Sequence, residues 1–146
     1  MRHLMSFLAA AASVLSTAAA YADLGDQLAK LLPTDGAAVD HFGSSVSISG
    51  ATAIVGAFAD DDNGSGSGSA YLFDISDPKN PVQFAKLLPT DGAAVDHFGF
   101  SVAISGATAI VGAWRDDDNG GFSGSTYLFD VADIPRKVPL GPRWHR

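Results

Sequence analysis

Cysteine is absent from this 146-residue chain, so disulfides, thiolate catalysis, cysteine-ligated zinc and a lipid-modified cysteine are excluded together. Glutamate is absent as well, and all sixteen acids are Asp. With few lysines and sixteen glycines, the chain lacks good helix formers and is well supplied with strand and turn formers. Basic charge is scarce: nine Lys and Arg leave a net charge of −7, which disfavours nucleic-acid binding through a basic groove. Long bulky apolar runs are missing too. The stretch 4–20 is Ala-rich and diluted by Ser6, Ser13, Ser16 and Thr17, without the Leu/Ile/Val density that holds a helix in lipid. It follows a short positive segment, Met1-Arg2-His3, and precedes the small-x-small tripeptide Ala20-Tyr21-Ala22. Residues 1–22 therefore read as an export signal, and the mature chain is expected to be secreted, periplasmic or at the cell surface, with no membrane contact after cleavage.

What is present is a repeat. The segment 29–43 recurs unchanged as 85–99, a period of 56 residues. Over the 47 positions paired from Ala29–Ile75 with Ala85–Val131, the copies differ only at 44, 47, 58, 59, 65, 66, 70 and 75 of the first. Each unit should therefore adopt the same local shape.

Within a unit the strand signals are spaced for short antiparallel strands. Phe84–Leu88 stops at Pro89, and Thr90-Asp91-Gly92 is a turn cluster. Phe98–Ile104 alternates, with Phe98, Phe100, Val102 and Ile104 expected on one face. Thr108–Ala113 reads as a buried strand and Ser125–Val131 as another, separated by the polar loop from Asp116 to Gly121. Four short strands per unit, with no helical periodicity, is the pattern of a propeller blade.

These residues carry a resemblance. Phe42-Gly43, then Ile54-Val55-Gly56-Ala57, then Gly68–Phe73, repeated as Phe98-Gly99, Ile110–Ala113 and Gly124–Phe129, resemble the FG-GAP repeat of integrin-alpha-type β-propellers and of many secreted bacterial proteins. The resemblance runs from about residue 28 to 133 and implies an all-β fold: two four-stranded antiparallel propeller-like blades forming an incomplete propeller, with no helix apart from the signal peptide. Where the family name has Pro, this chain has Phe58 or Trp114. The integrin-type calcium loop between the FG and GA strands has shrunk here to Ser49-Gly50-Ala51-Thr52 and Ser105-Gly106-Ala107-Thr108, which hold no carboxylate, so those ligands have no counterpart. The short hairpin is closer to the bacterial form.

The acids sit one loop later, at Asp60, Asp61, Asp62 and Asn63 and again at Asp116, Asp117, Asp118 and Asn119. They are the calcium candidates, since alternating oxygen donors with a Gly at the bend open a calcium loop; no other cofactor is expected. The closing acid is missing, which favours the plainer alternative of an Asx-rich turn. The pairs Asp40-His41 and Asp96-His97 evoke fragments of a hydrolytic triad, but a catalytic constellation is needed once and these occur twice. No Asp lies in an apolar setting suited to glycosidase chemistry. Phe42, Phe98, Tyr71 and Tyr127 are expected to fill the space between blades.

The second copy is bulkier, through Ser44→Phe100, Phe58→Trp114, Ala59→Arg115 and Gly66→Phe122. Trp114, Arg115 and Phe122 are read first as inter-blade packing and second as an interaction group of hot-spot composition. The chain thus divides into the signal peptide (1–22), the first repeat with a preceding outer strand at Gln27–Leu32 (23–83), the second repeat (84–133) and a Pro-containing basic tail (134–146) expected to be disordered, where the second repeat's outer strand is missing. Two blades leave open faces, so self-association through them is expected. The expected function is a non-catalytic, exported module for protein or glycan binding or for structural or surface interaction through loops 33–41, 59–67, 89–97 and 115–123, or a fragment of a larger propeller. The alternatives are a secreted hydrolase using the Asp-rich loops, or a truncated gene product without selected function.

Overall fold

The computed structural model describes residues 25–136; the expected signal peptide at 1–22 and tail residues 137–146 lie outside the described residues. Seven strands form two antiparallel sheets: β1 (Ser45–Ser49), β2 (Thr52–Ala57), β3 (Ser69–Asp74) and β4 (Val82–Leu87) in chain order, then β5 (Phe98–Ser105), β6 (Thr108–Ala113) and β7 (Ser125–Asp130). The architecture is all-β and blade-like, with no helix among the described residues.

Each meander follows from its turns. Gly50 and Gly106, both at φ 55, close the β1–β2 and β5–β6 hairpins with the left-handed conformation that a two-residue connection needs. The longer β2–β3 and β6–β7 connections are the Asp/Gly loops. Ladder registers repeat with the 56-residue period, Ile54 facing Leu72 as Ile110 faces Leu128.

The two sheets stack face to face. Ile54, Ala70, Leu72 and Leu87 from the first meet Phe98, Ile104, Val111 and other residues of the second in one core. The FG and GA motifs are the contact points of this stacking. Phe98 is fully buried between the sheets, and a Cβ on Gly56 would collide with the carbonyl oxygen of Gly99. The glycine of one blade's GA thus admits the backbone of the next blade's FG. Along the adjoining edges, Ser45 Oγ, Ser47 Oγ and Ser49 Oγ accept from the N–H groups of Val102, Ile104 and Gly106 at 2.8, 3.3 and 3.0 Å.

A second core covers the other face of the first sheet, where Ala53, Val55, Ala57, Tyr71 and Phe73 lie under Leu31, Phe42 and Ile75. Several expectations are corrected here. Among the described residues the second sheet has three strands where a full blade has four, the fourth being the outer strand expected to be missing. Residues 27–32 form no strand: Leu31 packs on the first sheet's outer core as Leu87 packs against the second sheet, yet a lone segment has no ladder to join. Phe98 and Tyr127 do pack between the sheets, whereas Phe42 and Tyr71 lie on the first sheet's outer side. Phe100 leaves the face shared by Phe98, Val102 and Ile104, because the register shifts between Phe98 and Ser101 and turns it outward. At the start of the tail, Ile134 packs on the core and Arg136 donates to Thr52 Oγ1 at 2.7 Å while stacking over Phe84.

Candidate functional site

All four long loops gather at one end of the stacked sheets, because β1, β3 and β5 start there and β2, β4 and β6 finish there. Backbone bonds tie them together: Ala59 N–H to the Asp40 carbonyl, Val95 N–H to Ser65, His97 N–H to Gly66 and Arg115 N–H to Asp96. Asp40 and Asp96 are buried turn residues, accepting from Ala37 N–H at 2.6 Å and Ala93 N–H at 2.7 Å. Val39, His41, Val95 and His97 all hold positive φ, a strained conformation for a branched valine that the loop-to-loop bonds over-determine.

The acidic loops are built alike. Asp60 is buried, takes Asp62 N–H on one oxygen and the Tyr71 hydroxyl on the other at 2.9 Å. Asp116 repeats this with Asp118 N–H and the Tyr127 hydroxyl at 2.8 Å. In the first loop Asp61 Oδ1 also accepts from Gly66 N–H; in the second, Phe122 stands at that corner with φ 57.

The cation at the first loop is an ammonium. Lys86 from β4 reaches Asp62, Asp60 and Asp35 at 2.6, 3.0 and 2.8 Å. Burial works to raise the Asp60 carboxyl, but Lys86, the Tyr71 hydroxyl and Asp62 N–H together hold it below the ordinary carboxylate value. The Asp35 carboxyl is lowered chiefly by its bond to Lys86. Burial pushes the Tyr71 phenol up to about 12. Among the described residues the second loop has no β4 equivalent and no ammonium beside it. There the negative charge of Asp116, with Asp91 and other neighbours, raises the exposed Asp118, and Tyr127 is raised by burial and by Asp116. No three acids or histidines among the described residues converge as a metal shell.

Beside the acids runs an aromatic strip. His41 stacks on Phe58 at 5.0 Å; Phe58 touches His97 and Phe100, and both touch Trp114. Arg115 lies over Trp114 at 4.7 Å and over Phe122 at 5.3 Å. Trp114 is 45% exposed and Phe122 64%, so the packing reading of this group gives way to a surface one. Burial, then the Arg115 charge, lowers the His97 imidazole and favours its neutral form. Phe58, Phe100 and the two histidines were not singled out as surface groups from the sequence; the alignment of the copies held the signal, since Ser44→Phe100 and Phe58→Trp114 both enlarge this end.

Stacked antiparallel sheets with exposed loops at one end define a repeat module of the β-propeller type. The FG-GAP repeat model matches residues 26–73 and 81–129, well over half of the chain, and the protein belongs to the FG-GAP repeat family. A comparison with curated proteins gives no match.

Proposed function

We propose that the chain is an exported, non-catalytic contact module that binds a protein partner through the loop end. The observation that carries this reading is the exposed aromatic strip ending in Trp114, Arg115 and Phe122, bordered by acidic loops. Trp and Arg are enriched where binding energy concentrates, and rigid aromatics present area at small entropic cost. The surrounding Asp residues favour a partner surface with an apolar centre and a basic rim. The propeller-type stacking supports the reading further, because it places loops of separate repeats on one rigid end.

The test is selection of displayed peptides against the full chain, followed by affinity measurement with Trp114→Ala. Apolar peptides flanked by Lys or Arg are expected, with binding weakened at least about tenfold by the substitution and weakened by salt. Absence of binders, or binders indifferent to Trp114, overturns the proposal. Capture on a glycan array without any peptide binding moves the reading to a sugar ligand.

A further inference from the structure

The two outer faces of the molecule are the two halves of the interface that joins its sheets. On the second sheet, Ile110 and Leu128 stand where Ile54 and Leu72 stand on the first, and they are 40% and 71% exposed where their counterparts are 0%. On the first sheet, Val46 and Ile48, 68% and 67% exposed, stand where Val102 and Ile104 face the inter-sheet core. These residues are identical across the repeat.

Charge follows the same rule. Lys86 is ringed by Asp35, Asp60 and Asp62, and their equivalents Asp91, Asp116 and Asp118 meet no lysine among the described residues. The residue equivalent to Lys86 one repeat earlier is Lys30, exposed and paired with no described acid, in the segment that found no strand to join. The outer edge of β7 carries no strand among the described residues.

We propose that a second copy of this chain docks head-to-tail on the outer face of the second sheet, its residues 27–32 completing that sheet as a fourth strand on β7 and its Lys30 entering among Asp91, Asp116 and Asp118. The register is fixed by the β3–β4 ladder, in which Ala70, Tyr71 and Leu72 face Leu87, Lys86 and Ala85. One repeat on, Thr126 faces Leu31, Tyr127 faces Lys30, and Leu128 faces Ala29. Leu31 already packs on the outer face of its own first sheet as Leu87 packs against the second. Ser101 and Ser105 repeat the acceptors Ser45 and Ser49, and Gly112 and Gly43 repeat the close approach of Gly56 and Gly99. Ala103 in place of Ser47 removes one of the three edge hydrogen bonds. The contact is heterologous, and since propellers close at about 4–8 blades, the ring would hold about two to four copies.

Sedimentation of the full chain across the micromolar range tests this, together with cross-linking on its cysteine-free background. Reversible assembly to a small integer multiple of the monomer mass is expected. Leu128→Asp and, separately, Lys30→Asp should each weaken it at least about tenfold while the circular dichroism spectrum of the monomer is kept. Ala29→Cys with Leu128→Cys should form intermolecular disulfides on oxidation, and Ala29→Cys with Val46→Cys should not. A monomer at every concentration, assembly indifferent to both charge variants, or equal cross-linking in the two cysteine pairs overturns the proposal. Assembly lost with Trp114→Ala but kept in Leu128→Asp would move the contact to the loop end and overturn it equally.

Discussion

Strands β2 and β6 carry the same six residues, Thr-Ala-Ile-Val-Gly-Ala, but β2 is buried on every residue and β6 only on alternate ones. The first sheet is covered on one side by the second sheet and on the other by residues 31 and 42; the second sheet has one neighbour among the described residues. Burial of a strand is thus a property of what lies beside it, and a continuous apolar hexamer reads identically in both settings. The same contrast separates the acidic loops, where one meets a lysine among the described residues and the other does not.

The sharpest way to break this comparison is to remove the same leucine from each sheet. Leu72→Ala is expected to cost about 2–5 kcal/mol, the range for truncating a fully buried leucine. Leu128→Ala, measured by denaturant melts at concentrations where the chain is monomeric, should stay within about 0.5 kcal/mol as a surface change. Equal losses would mean that the second sheet's outer face is covered within one chain.

A smaller asymmetry is expected at the FG glycines. Gly99 (φ 87) lies where a Cβ would strike the Ser69 carbonyl oxygen, so Gly99→Ala should cost about 3 kcal/mol from overpacking and φ strain together. Gly43 (φ 91) has open space around a Cβ, so Gly43→Ala should cost only the conformational part, about 1 kcal/mol. Thermal melts of the two variants give the difference directly.

The acidic loops give the smallest effect. Lys86→Met should cost about 2 kcal/mol near neutral pH, less than a fully buried pair because Asp35 and Asp62 are half exposed. Because the folded Asp60 carboxyl is held below its unfolded value, this stabilisation is present above the ordinary carboxylate pKa and is lost as pH falls through the lowered folded value. The gap between wild type and variant should therefore close in acid; a gap constant from pH 7 to pH 2 would show that Lys86 acts through packing alone.

Much of this fold is legible in the residues themselves. The repeat, the strands from Thr108 to Ala113 and from Ser125 onward, and the Gly50 and Gly106 turns follow from alternation and turn chemistry. The outward turn of Phe100 was not legible, because a register shift leaves no mark on an alternating run. The failed strand at 27–32 was not legible either, since strand formation needs a partner that local sequence does not contain. At the loop end, the Asx turns were apparent, but the convergence of Lys86 on Asp35, Asp60 and Asp62 joins residues up to 51 positions apart.

Sequence alone determined the period, the strand-and-turn character and the residues able to pack blade on blade, because these depend on neighbours a few bonds away. Only the tertiary structure decided which copy of each residue is buried, which aspartate meets an ammonium and which aromatics face water. Those outcomes depend on how many neighbours each sheet has, and two identical stretches of chain can differ in that number.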